Sequence, residues 1–94
     1  MQEFKGIDVR NIMEDIVYDK MESIIDSLGC CTCEKCRADI TAYVLNHVTP
    51  RYVASEKGEL FSKVQELNQN SNTDIVMKIV SAAEIIKERP RHDV

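Results

Sequence analysis

The chain has 94 residues, a net charge of −4 and 30 % charged residues, which makes it one small acidic domain. A domain of this length buries only somewhat more than ~60 % of its unfolded surface, so it gains from a metal staple or a second copy. The acidic balance argues against a general nucleic-acid binder held by phosphate contacts, and no stretch reaches the ~18–20 apolar residues of a bilayer span. The first residues, Met1 to Gly6, lack the apolar core of a signal peptide. A cytoplasmic protein with reduced thiols is therefore expected. Residues 1–7 and 90–94 are expected as disordered tails of a single domain spanning 1–94.

Asp8 stands where a helix N-cap belongs. After it, Val9, Ile12, Met13, Ile16, Val17, Met21, Ile24, Ile25 and Leu28 recur in steps of three and four, the mark of one apolar helix face. Gly29 offers the left-handed residue that ends many helices. The spacing predicts a helix of about 20 residues, near 30 Å long. So long a stripe can pack along the other helices and still pair with a second copy.

All four cysteines of the chain follow at once: Cys30, Cys31, Cys33 and Cys36. Disulfides fit poorly, because adjacent thiols close only as a strained ring and the remaining loops are very short. Four soft thiolates are instead the ligand set that structural zinc prefers, at about 2.3 Å per bond. Cys33 and Cys36 form one knuckle, and Cys31 is placed to fold onto the same ion. Cys30 is the fourth ligand, or else water, His47, another side chain or a second subunit takes that position. The hydrolase pattern His-Glu-x-x-His is absent, so the zinc is expected to be structural. A redox or metal-sensing role for the thiols is the alternative, because thiol reactivity follows exposure and pKa.

A second helix, carrying Ile40, Tyr43, Val44, Leu45 and Val48 with small Ala38 and Ala42, is expected from Cys36 to about Val48. Its apolar residues fall on most sides, which predicts burial, and Pro50 is expected to end it. Arg51 to Val53 reads as a connector. Ser55 or a neighbour is expected to cap a third helix bearing Leu60, Phe61, Val64 and Leu67, followed by a polar loop over residues 68–72. Ser71 with Asp74 resembles a capping box for a last helix carrying Ile75, Val76, Ile79, Val80, Ala83 and Ile86. No alternating strand pattern is visible. The expected fold is all-α, about four helices with a cysteine-rich metal-binding loop.

The string Cys31-Thr-Cys33-Glu-Lys-Cys36-Arg-Ala-Asp39, the Leu45-Asn46 pair and the Pro50-Arg51-Tyr52-Val53 end resemble the late competence development protein ComFB family of bacteria. The size and order of the flanking helices agree as well. The resemblance implies a small helical, zinc-binding homodimer linked to natural competence. It also implies cyclic dinucleotides as a ligand class, since some members are described as receptors for them. Cys30 is additional to the family's three-cysteine motif.

Several residues become site candidates on this reading. Asp39, one helical turn after Cys36, is placed to orient the metal loop. Lys35 and Arg37 offset thiolate charge or serve phosphates. Asn46 caps the turn before Pro50 or contacts a ligand. Arg51 and Tyr52 are the best nucleotide candidates, a guanidinium for phosphate and a ring for stacking on a base, although Tyr52 reads first as a packed aromatic anchor. Catalysis is not expected: the sequence shows neither a nucleophile–base pair nor a phosphate-binding glycine loop, and Gly6, Gly29 and Gly58 stand isolated.

Overall fold

A computed structural model describes residues 3–4, 7–68 and 71–88 of the chain. Strands β1 (Glu3–Phe4) and β2 (Ile7–Asp8) form one antiparallel pair. β3 (Arg10–Asn11) follows and leads into helix α1 (Met13–Ile24), which tightens into a 3-10 turn at Ile25–Ser27. Helix α2 (Glu34–Leu45), strand β4 (Tyr52–Val53), helix α3 (Glu56–Asn68) and helix α4 (Ser71–Glu88) complete the order. β4 pairs antiparallel with β3, Arg10 opposite Val53 and Asn11 opposite Tyr52. Four α-helices carry the architecture, as expected, and the strands are two-residue ties.

The core is a seam in which α2 packs against both α1 and α4. α1 contributes Met13, Val17 and Met21, with Ile25 just beyond it; α2 contributes Ile40 and Val44; α4 contributes Ile75, Ile79, Ala82 and Ala83. The apolar stripe expected on the first helix is therefore the buried one, at about 1.5–3 kcal/mol for each large side chain removed from water. No helix among the described residues is long and apolar enough to cross a membrane.

Several expectations need correction. The first helix is 12 residues, about 18 Å rather than 30 Å, because Arg10 and Asn11 are drawn into the ladder with β4. Asp8 is consequently a strand residue and not the cap. The connector at Tyr52–Val53 is itself a strand. Two-residue strands are too short for a period-two pattern to register. α2 ends at Leu45, before Pro50 acts, as the Asn46 N–H reaches back to the Ala42 carbonyl. It is buried on one face only, leaving Ala38 and Ala42 exposed. The polar segment after α3 is mostly helical: α3 runs to Asn68 and α4 starts at Ser71. Ser71's side chain, residues 69–70 and the C-terminal tail lie outside the described residues. Asp74 forms an ion pair with Lys78 one turn on.

Two local readings hold. Gly29 adopts φ 69°, the left-handed region that strains a side-chain-bearing residue. Ser55 Oγ accepts the Gly58 N–H at 3.0 Å, capping α3.

Asn11 ties the two halves together. Its Oδ1 accepts the Met13 N–H at 3.1 Å and the Arg51 N–H at 2.8 Å. The Ile12 N–H in turn donates to the Arg51 carbonyl at 2.9 Å. Replacing Asn11 by Ala strands two backbone donors, so Asn11→Ala is expected to cost about 1–3 kcal/mol, measured as a lowered midpoint in urea unfolding.

Candidate metal centre

The cysteine loop runs from Gly29 into the first turn of α2. Cys33 takes an extended conformation as the N-cap. Its Sγ accepts the Cys36 N–H at 3.5 Å, and its carbonyl accepts the Arg37 N–H at 3.0 Å. A sulfur thus fills the role usually given to a hydroxyl or carboxylate oxygen. Cys36, one turn in, is 0 % exposed.

The Sγ atoms of Cys31, Cys33 and Cys36 all lie within 4.8 Å of one another. A tetrahedron with bonds of ~2.3 Å has edges near ~3.8 Å, so the trio needs only a small contraction to hold one ion. The donor set is soft and fits zinc. Cys30 is not a member of the group. It is half-buried and packs against the core instead. His47, the other sequence candidate for the open position, lies past the opposite end of α2. Its Nδ1 is 2.7 Å from the Tyr43 carbonyl, and its ring stacks on Tyr43 at 4.3 Å.

Burial, then the hydrogen bonds and charges of Cys33 and Cys31, push the Cys36 thiol up to about 12 from 9.0. Loading a metal must therefore expel a firmly held proton from Cys36. In metal-free protein the sign is simple: the folded state keeps the Cys36 proton to higher pH than the unfolded chain. The stability this contributes is complete below pH 9 and is lost as pH climbs toward 12.

The remaining candidates do not converge. Arg37 donates to Glu22 across the α1–α2 interface, and this pairing holds its charge more firmly. It therefore pins two helices rather than standing ready for the thiolates. Arg37 also lines a groove of about 390 Å³ with Tyr18, Met21, Glu34, Ala42 and Leu45. Asp39, Asn46, Arg51 and Tyr52 do not line that groove. Asp39 is half-buried on α2, and Asn46 is the exposed C-cap of that helix. Arg51 donates through Nη1 to Gln65 Oε1 at 2.9 Å. Tyr52 is 62 % exposed, so it is not a packed anchor. Sequence reasoning missed Glu22, one acid among many on α1. It also missed Asn11, whose signal was available as a capping residue type just before the apolar period of α1 begins at Ile12.

The family model described as late competence development protein ComFB matches residues 10–90.

The chain belongs to that family.

It is 28 % identical over 81 residues to the competence protein ComFB of Bacillus subtilis (strain 168), an alignment covering 85 % of this chain and 83 % of that protein. It is also similar to the solved structure of the late competence protein ComFB from Bacillus subtilis. That match has a TM-score of 0.84 at 27 % identity and covers 90 % of this chain and 94 % of the other.

Serine is itself a good N-cap, so Cys33→Ser preserves the start of α2 and removes only a metal ligand. It is expected to lower the melting temperature sharply in metal-loaded protein. Arg51→Ala, which loses the bond from Nη1 to Gln65 among the contacts of that side chain, is expected to lower it much less. Thermal unfolding of both variants beside the parent checks this, and equal small shifts would remove the staple. For the thiol itself, the urea midpoint of chelator-treated protein is expected to fall between pH 9 and 12, and Cys36→Ala flattens that dependence.

Proposed function

We propose that this ComFB-family chain is a zinc-stapled, homodimeric regulatory protein of the bacterial cytoplasm that acts in competence by binding rather than by catalysis. The observation that carries the reading is the convergence of three cysteine sulfurs at the N-terminus of the central helix. Zinc would be held by Cys31, Cys33 and Cys36. Bound there, it would fix the loop from Gly29 to α2 and so the entry of the helix that builds the core.

A second copy is supported by what α3 leaves uncovered. Leu60 is 67 % exposed, Phe61 64 %, and Val64 shares the same face. Met77 and Val80 on the neighbouring α4 are exposed too. Covering Leu60 and Phe61 contributes about 1.5–3 kcal/mol each, and exposed apolar patches of this kind mark association surfaces. Partner contact through α3 is consistent with the small size of the domain.

Cyclic dinucleotides are the ligand class to try first, from the resemblance. The exposed ring of Tyr52 beside Arg51 supports that choice, since aromatic rings stack on bases and guanidinium groups grip phosphates. The net charge of −4 does not oppose one local dinucleotide.

Native mass spectrometry of protein purified without added metal tests the core of the reading. The expected particle is a dimer with one zinc per chain, and Leu60→Asp with Phe61→Asp is expected to convert it to a zinc-loaded monomer. A metal-free monomer from the parent chain overturns the proposal. Calorimetric titration with cyclic dinucleotides, repeated on Tyr52→Ala, decides the ligand: binding that the variant loses supports the site, and no binding by the parent removes it.

A further inference from the structure

The three thiols of the metal centre are unequally exposed. Cys36 is buried, Cys33 is half-buried, and Cys31 is open to solvent. Their backbones differ in the same order. Cys36 belongs to α2 and Cys33 is its cap, fixed by the bond from the Cys36 N–H. Cys31 and Thr32 lie in irregular backbone outside any helix or ladder. A purely structural centre gains nothing from leaving one of its ligands exposed, because thiolate oxidation follows exposure.

We infer that the centre is also a hydroperoxide-responsive switch, in which Cys31 is the oxidised thiol and Cys36 resolves it as a Cys31–Cys36 disulfide. The inference rests on the reading of the trio as a metal centre. Both sulfurs already lie within 4.8 Å of each other, and Cys31 is the residue whose backbone is free of regular structure. Pairing Cys31 with Cys33 instead would close a far tighter ring.

The chemistry balances with a hydroperoxide as oxidant. The Cys31 thiolate sulfur attacks a peroxide oxygen, and the O–O bond breaks. The departing alkoxide or hydroxide takes a proton from water, leaving Cys31 as a sulfenic acid. The Cys36 thiolate then attacks the Cys31 sulfur, the S–O bond breaks, and hydroxide leaves to be protonated. Two thiolates have lost two electrons in all. The peroxide has been reduced to two waters, or to an alcohol and a water. With Cys31 and Cys36 joined, Cys33 is the one thiolate left of the trio, too few to hold a divalent ion. A dithiol reductant reverses the change.

The release also bears on the fold. Cys36 sits in the core, and the next residue, Arg37, pins α2 to Glu22 of α1. Pulling the Cys36 sulfur toward Cys31 therefore acts on the start of the central helix and not on a remote loop.

Zinc-loaded full chain is treated with graded hydrogen peroxide while a colorimetric chelator reports free zinc and peptide mapping locates disulfides. The expected result is zinc release matched to formation of a Cys31–Cys36 disulfide, with rebinding after dithiothreitol and zinc. Cys30→Ser is expected to release zinc as the parent does, and Cys31→Ser to lose the disulfide. Should Cys31→Ser fail to hold zinc, dimedone trapping on the parent decides, and its adduct is expected on Cys31. Zinc retained through oxidation, or an adduct or disulfide centred on Cys30, overturns the switch while leaving the metal centre intact. Protein that never carries or takes up metal overturns both.

Discussion

Everything in this fold depends on how α2 begins. Its first turn sets one buried residue, Cys36, into the helical seam while the N–H of the same residue rests on the sulfur of Cys33. Core packing and the thiol cluster are thus a single structural event. α2 lies between α1 and α4, so an error in its starting point would displace Ile40 and Val44 from the side chains they meet on both neighbours. A domain with a larger core would tolerate a loose helix end. At 94 residues this one has little apolar surface to spare.

The rest of the molecule divides by the strength of its attachment to that seam. α1 and α4 give up continuous apolar faces to it. α3 does not: it reaches the body through α4 and β4, and through ion pairs such as Arg10 to Glu59 and Lys63 to Asp15. Exposed ion pairs of this kind are worth little individually. The helix least committed to its own chain is therefore the one with apolar residues available for another.

How much of this was legible in the sequence depended on the length of the signal. The stripe from Ile12 to Ile25, the period of α4 and the crowding of cysteines are repeated cues, and they appear in the structure where the pattern put them, apart from Val80, which is exposed. Single-residue cues were mixed: Gly29 and Ser55 act as their types suggest, and Asp8 does not. Asp8 is a good cap by type, yet its pairing puts it in a strand, and the ladder of Arg10 with Val53 delays the helix to Met13. The spacing already set Cys31, Cys33 and Cys36 apart from Cys30, and the chain direction after Gly29 sends Cys30 to the core and the other three to one point. The ligand candidates are the least legible, because Arg37, Arg51 and Tyr52 carry generic chemistry whose meaning depends on neighbours such as Glu22 and Gln65.

The Asn11 tie joins residues 40 apart in the sequence, whereas each helix closes its bonds within a single turn. Loop-closure entropy grows with the logarithm of the span, about 0.6 kcal/mol per doubling, and it must be met before the tie gives anything back. Order of assembly follows from that asymmetry. The α1–α2 half of the seam can form from contacts nearer in sequence, and the strand pair then clasps a body that is already partly built. The clasp therefore acts as a late lock, which slows the exit from the native state more than it speeds arrival.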